Sequence, residues 1–326
     1  MKCRVCRGPA VIDVRRHNAN FCVEHFIQQC ERQVTKAIDA FGMIAPGERV
    51  LVAVSGGKDS LALWDLLVRL GYHAEGLYLG LGIGEYSDES GDYARNFAVT
   101  RGLVLHEVDL RRDFGYDIPR ASAVTGRVPC SACGLSKRHL FDEMARQGEF
   151  DVVATGHNLD DEAAVLFGNV LRWQTEYLAR QMPVLPAGNG FPRKVKPLVR
   201  LSEREMAAYC IVQGIDYQVE ECPMAAGNSH LGYKEALNAV EDQSPGTKHD
   251  FYFGFLERAA AGFRQGLTQD ASALGSCRDC GAPTPGDRCA FCRLVERTGG
   301  HHRTQDPNGA SPGSETAVVL GRRERS

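Results

Sequence analysis

The sequence predicts an α/β fold, a parallel sheet with helices on both faces, and two features carry that prediction. Short apolar runs at 49–54, 73–79, 103–109 and 151–155 read as strands, each separated from the next by enough chain for a crossover helix. The first run leads directly into Ser55-Gly56-Gly57-Lys58-Asp59-Ser60 and then into a helical pattern over 61–67. A strand, a glycine turn and a helix in that order set unpaired N–H groups and the positive end of a helix dipole beside a tight turn. That is a cradle for phosphate or pyrophosphate. In a parallel sheet the ligand lies beyond the C-terminal strand ends, where this turn, Leu79 and Gly156-His157 converge. The turn lacks the G-x-x-x-x-G-K-[ST] pattern, so a P-loop nucleotidase is not the first reading; a plain helix cap is the bland alternative.

The chain has 326 residues, 43% hydrophobic and 24% charged, which suits one sizeable domain with appendages. A formal charge of -3 means that any nucleic-acid binding must come from local patches such as Arg15-Arg16-His17 and Arg193-Lys194-Val195-Lys196. No apolar run is long enough to span a bilayer and the N-terminus has no signal-peptide core, so a cytoplasmic location with no membrane contact is expected. In that compartment twelve cysteines point to metal rather than to disulfides.

Taken in order, Cys3 and Cys6 followed by Cys22 and His25 have the spacing of a closed, four-ligand zinc site; a redox dithiol at the first pair would leave the second unexplained. This defines a module at 1–28. Residues 26–42 show helical spacing that places Cys30 on the apolar stripe. The polar segment 85–96 is expected to lead into a helix. Cys130 and Cys133 head a helix running to about Arg146, with Cys222 as candidate third ligand: three thiolates and no fourth suit a metal centre with an open position. A redox dithiol at 130/133 and an inert Cys222 are the alternatives. Asp160, Asp161 and Glu162 fall in the first turn of the helix after Thr155-Gly156-His157-Asn158, placed either to cap it or to hold Mg²⁺ opposite the cradle. Residues 183–197, rich in proline, glycine and base, show little sign of regular structure. Ser202 and Glu205 form a capping box, Cys210 lies on the helix they open, and 233–240 and 251–263 extend a helical part over 201–270. Cys277, Cys280, Cys289 and Cys292 make a second zinc signature within 271–297. Residues 298–326, with His301 and His302, are expected to be a disordered tail.

These motifs carry a resemblance that spans roughly residues 1 to 295. SGGKDS resembles the PP-loop of the ATP-pyrophosphatase superfamily, with its adenine-nucleotide α-hydrolase-like fold, here over 29–200. PCSACGLSKR, TGHNLDDEA and EECPM, between paired zinc sites, resemble the TtcA/TtuA family of tRNA 2-thiolation enzymes. The resemblance implies an ATP-dependent tRNA sulfurtransferase, acting on the T-loop ribothymidine, that uses ATP, Mg²⁺, a [4Fe-4S] cluster and two Zn²⁺. It implies Cys130, Cys133 and Cys222 as cluster ligands, Lys137 and Asp161 as catalytic, and Ala53, Ser55, Gly56, Gly57, Lys58, Asp59, Ser60, Leu79 and Gly156 as the nucleotide site. Implied partners are tRNA and a ubiquitin-like sulfur carrier with a C-terminal thiocarboxylate; a homodimer is left open. A wobble-uridine or cytidine thiolase, a PP-loop ligase for a small molecule and a non-enzymatic RNA-binding zinc protein are the rival expectations.

Overall fold

The computed structural model describes residues 1–225, 229–265 and 274–302. The chain opens with the hairpin β1 (Ile12–Val14) and β2 (Ala19–Phe21) and the helix α1 (Val23–Phe41). There follow β3 (Arg49–Val54), α2 (Lys58–Arg69), β4 (His73–Gly80), α3 (Gly84–Arg101), β5 (Leu105–Asp109), α4 (Leu110–Phe114), α5 (Ile118–Thr125), α6 (Pro129–Gln147) and β6 (Val152–Thr155). Next come α7 (Leu159–Leu171), α8 (Thr175–Ala179), β7 (Val184–Leu185), β8 (Arg193–Val195) and α9 (Glu203–Gln213). The described chain ends with α10 (Ser229–Gln243), α11 (Thr247–Arg258), α12 (Ala260–Gln265), the short strands β9 (Gly275–Ser276) and β10 (Pro283–Thr284), and α13 (Ala290–Arg297).

Six strands form the central sheet in the order β5-β4-β3-β6-β8-β7, parallel except for the edge strand β7. Strand alternation divides the core. Val50, Val52 and Val54 of β3, with Ala74 and Tyr78 of β4, enter a layer with Phe26, Val34 and Ile38 of α1 and Leu61 and Trp64 of α2. Leu51, Leu77, Leu79 and Val153 point the other way, into a layer with Leu140 of α6 and Phe291 and Leu294 of α13. Each valine, leucine, isoleucine or phenylalanine so buried stabilises the fold by about 1.5–3 kcal/mol. Cys30 and Cys210 are fully buried in the first layer, as their apolar surroundings predict.

Three expectations need correction. The segment 183–197 is not irregular: β7 pairs antiparallel with β8, and β8 extends the parallel sheet beside β6. Strands of two and three residues in a proline- and glycine-rich segment carry almost no periodicity. Second, the polar stretch at 85–96 does not precede a helix but is the body of α3. Its buried face is Ser87, Ser90, Gly91 and Ala94, small residues that bring the helix close to β4, where the Tyr78 hydroxyl donates to Ser87 O. Third, residues 298–302 are packed: His301 N donates to Phe114 O at 3.0 Å. The rest of the expected tail, 303–326, lies outside the described residues. No described helix is long and apolar enough to cross a membrane.

Candidate active site and metal centres

The Ser55–Gly57 turn joins β3 to α2. Gly56 has φ of +77°, and a Cβ there would lie 2.2 Å from Ser90 O, so only glycine fits between the turn and α3. Ser60 Oγ accepts from Ser55 N at 3.1 Å and donates to Gly57 O at 2.9 Å, which fixes the turn from inside. No side chain caps α2. Its first N–H groups stay available to a ligand, which the plain-cap reading does not require.

A cavity of about 330 Å³ opens beside this turn, and Ala53, Ser55, Asp59, Ser60, Leu79 and Gly156 line it, with Lys137 entering from α6. Tyr86 and Phe141, which the sequence did not single out, add apolar wall. Gly156 is the close-contact point: a Cβ would meet Ser60 N at 2.9 Å and Asp59 C at 3.0 Å. A second cavity of about 380 Å³, between the N-terminal hairpin and α9–α11, is lined by Asp160, Glu203 and Arg16 but by none of the cradle residues.

At the cradle mouth the charges form an alternating chain. Lys58 Nζ bonds Asp59 Oδ2 at 3.2 Å and Glu203 Oε1 at 2.8 Å; Lys234 Nζ bonds Glu203 Oε2 at 3.1 Å and Asp161 Oδ1 at 2.6 Å. Burial, and then the charge of Asp161, holds the Asp59 carboxyl above its ordinary value. Burial opposes the charge on Lys58 and Lys234, yet their carboxylate partners outweigh it and raise both. Glu203 is correspondingly lowered, its two lysines outweighing burial. Two carboxylates, Asp59 and Asp161, are thus presented beside the phosphate cradle, the donor set that Mg²⁺ takes. Asp161 also completes the capping box of α7, whose N-cap is Asn158: Asp161 Oδ2 accepts from Asn158 N at 3.0 Å, while Asn158 Oδ1 accepts from Asp161 N at 3.1 Å. Asp160 and Glu162 are structural. Asp160 pairs with Lys248, and Glu162 is 1% exposed and pairs with Lys196 at 2.7 Å. Lys234 and Glu203 carry no local motif, because α7, α9 and α10 meet only in the folded chain.

Cys130 and Cys133 lie at the start of α6, about two turns and one turn before Lys137. Residues 223–225 form a short 3₁₀ turn beside them, and Cys130 Sγ approaches Met224 O at 3.8 Å. Cys133, Cys222 and Met224 are half-buried against the second core layer, with Tyr86. Burial pushes the Cys133 thiol up, while Lys137 pulls it down. All three thiols are free, and they do not form a trio of sulfurs within 4.8 Å of one another. That spread is too wide for a single tetrahedral ion.

The terminal sets are tight. Cys3, Cys6, Cys22 and His25 place all four ligand atoms within 4.8 Å, as do Cys277, Cys280, Cys289 and Cys292. Cys6 and Cys22 sulfurs are 3.8 Å apart, Cys277 and Cys292 3.6 Å, and Cys280 and Cys289 3.8 Å. A tetrahedral ion with metal–sulfur bonds of about 2.3 Å has an edge of about 3.8 Å, so both sets fit zinc and neither fits a disulfide. The second set is tied to α6, since His139 stacks on Phe291 of α13 with ring centroids 4.0 Å apart.

Residues 2–27 match the family model described as 2-thiouridine synthetase TtuA, N-terminal LIM domain. The chain is 51% identical over 294 residues to the tRNA-5-methyluridine(54) 2-sulfurtransferase of Thermus thermophilus, covering 90% of this chain and 91% of that protein. It is 42% identical to the protein of the same name from Pyrococcus horikoshii, covering 90% and 93%. Among solved structures it resembles the U34-tRNA thiolase NcsA of Methanococcus maripaludis with its [4Fe-4S] cluster, at a TM-score of 0.76 and 25% identity over 91% of this chain and 96% of that one. The cradle on a mostly parallel sheet, the three thiols beside it and a relative matched at 51% identity along almost its whole length agree: the chain belongs to the tRNA-5-methyluridine(54) 2-sulfurtransferase family, a family of tRNA-thiolating sulfurtransferases.

Proposed function

We propose that this protein replaces the C2 oxygen of 5-methyluridine in the T-loop of tRNA with sulfur, using ATP to make that oxygen a leaving group. The observation that carries the reading is the single cavity that brings Ser55, Asp59, Ser60 and Gly156 together with Lys137, one turn along α6 from Cys133. The C2 oxygen attacks the α-phosphate and pyrophosphate departs. The unpartnered N–H groups at the start of α2 and the Lys58 ammonium stabilise the charge gathering on pyrophosphate. Asp59 and Asp161 would hold Mg²⁺ against the phosphate oxygens. Lys137, which reaches the same cavity from α6, offsets negative charge at the α-phosphate or at the uridine oxygen. Sulfide then adds at C2, the C2–O bond breaks and AMP leaves with the oxygen. Cys130, Cys133 and Cys222 would hold a [4Fe-4S] cluster, which would supply the iron chemistry for sulfur delivery. Sulfur reaches the site from a thiocarboxylated ubiquitin-like carrier in the cytoplasm, and the two terminal sets hold structural Zn²⁺.

Anaerobic reconstitution with ATP, sulfide and unmodified tRNA tests the reading. One AMP per sulfur and thiolation of the T-loop uridine are expected, and Cys222→Ser should lose iron and thiolation while keeping zinc. A colourless, iron-free protein with full activity would refute the cluster. The fold likeness to NcsA favours one competing reading, thiolation of the wobble uridine; finding sulfur only at that nucleotide would establish it instead.

A further inference from the structure

The loop after α7 exposes an aromatic residue that the fold gives no reason for. Trp173 is 70% exposed and Tyr177, four residues on, is 62% exposed. Trp173 also has φ of 49°, in the left-handed region. For a bulky residue that conformation costs about 1–2 kcal/mol, and no burial offsets it here. Glycine or asparagine would close the same turn, which is held by Trp173 N donating to Val170 O at 3.1 Å and Gln174 N to Asn169 O at 3.0 Å. The indole is therefore presented to solvent at the expense of backbone ease.

The surroundings are cationic. Arg172 and Arg180 flank the two aromatics, and Arg264 lies on α12, which packs against α8. Among the described residues none of these three arginines forms an ion pair, and Arg172 lies 5.8 Å from the ring centre of Tyr233. Glu176 is the acidic residue of α8. α7 has 13 residues, so its far end stands about 20 Å from its capping residues at the cradle.

We propose that Trp173 and Tyr177 form a stacking platform for an unpaired base of the RNA substrate, with Arg172, Arg180 and Arg264 holding the adjacent phosphates, about 20 Å from the cradle. This rests on the tRNA reading above. Twenty ångströms corresponds to about six base steps at 3.4 Å, so the platform would grip the RNA well away from the reacting uridine. Exposed rings among free arginines are what single-stranded RNA uses: a π-face for any base and cations for its phosphates. A second copy of this chain would bring the same arginines face to face, and protein interfaces are depleted of charge at their centres.

The test is steady-state thiolation with inorganic sulfide as donor, which leaves no role for a carrier protein. Trp173→Ala should raise KM for tRNA about 5- to 150-fold with kcat little changed, the range expected from losing one stacked base, and Trp173→Phe should restore most of it. Arg172→Ala should weaken tRNA binding and reduce its salt dependence. Indole fluorescence gives a readout that needs no turnover: the other tryptophan, Trp64, is fully buried, so tRNA should quench wild type and not Trp173→Phe. An unchanged KM in Trp173→Ala, a defect seen only with a protein sulfur donor, or a change of sedimentation in place of tRNA binding would each overturn the proposal. If wild type is quenched by tRNA but thiolates another nucleotide, the T-loop reading fails and the platform stands.

Discussion

Gly156→Ala isolates the spacing between two loops of the site. Gly156 is not in the left-handed region, so alanine brings no backbone strain, only volume. Its Cβ would lie 2.9 Å from Ser60 N and 3.0 Å from Asp59 C, both backbone atoms that cannot rotate away, and ordinary contact begins at 3.4 Å. The loop must therefore retreat from the start of α2 by about 0.5 Å. Overpacking of this kind costs about 1–3 kcal/mol of stability. The catalytic consequence is larger, because displacing positioning groups by up to about 1 Å costs on the order of 100-fold in rate. Anaerobic single-turnover thiolation and ATP titration of the same preparation should show kcat down by roughly 10- to 100-fold, weaker ATP binding and a melting temperature lowered by a few degrees. An alanine variant with wild-type ATP affinity and rate would show that these two loops do not jointly hold the nucleotide.

Asp161→Asn keeps an acceptor for the α7 cap but removes the charge, so thiolation should fall at least about 100-fold while stability changes by under about 1 kcal/mol; equal loss of both in Asn and Ala variants would assign Asp161 to capping alone. Lys234→Met should free Glu203 and Asp161 at the cradle mouth and alter the Mg²⁺ dependence of ATP binding, measured by titrating both; an unchanged Mg²⁺ requirement would remove Lys234 from the site. Cys277→Ser should release one zinc per chain and loosen iron retention through the His139–Phe291 stack, read by metal analysis; full iron content would uncouple the two centres. Burial, then the charge of Arg16, lowers the pKa of His17 below 6.5, so the unfolded chain binds this proton more readily. Its contribution is complete above pH 6.5 and is lost as pH falls below it, with a slope well under the limit of about 1.4 kcal/mol per pH unit because the ring is half-exposed. His17→Gln should flatten the melting temperature between pH 7 and 5.5; an identical slope would show the proton is bound equally in both states.

The parallel core of the sheet was legible because Arg49–Val54 and its neighbours are continuous apolar runs punctuated by glycine, and both terminal metal sets were legible because their ligand spacing is local. The β7–β8 hairpin was not, since strands this short are selected by the free edge of β6 rather than by their own residues. The start of α3 was placed too late because close packing against β4 demands serine and glycine where periodicity searches for leucine. In the site, SGGKDS and Gly156 announced themselves as backbone requirements. Lys234 and Glu203 did not, because an ion pair between distant helices leaves no pattern along either. Asp160 and Glu162 could not be told from Asp161 by sequence: helix rotation alone decides which carboxylate of three in a row meets Lys234 at the cradle mouth and which meets Lys248 or Lys196.

The clasp between α6 and α13 has a consequence for how the molecule is made. The helix bearing Cys130 and Cys133 leaves the ribosome early, yet the ring that stacks on its His139 belongs to Phe291, about 150 residues later. At about 5–20 residues per second this is an interval of roughly 8–30 s, over which the paired thiols of that helix exist without the brace. The helix is locked only when the last described module closes over it. A chain cut short before Cys277 would lack the ring that braces the helix of Cys130 and Cys133, so that contact forms only once residue 291 has been made.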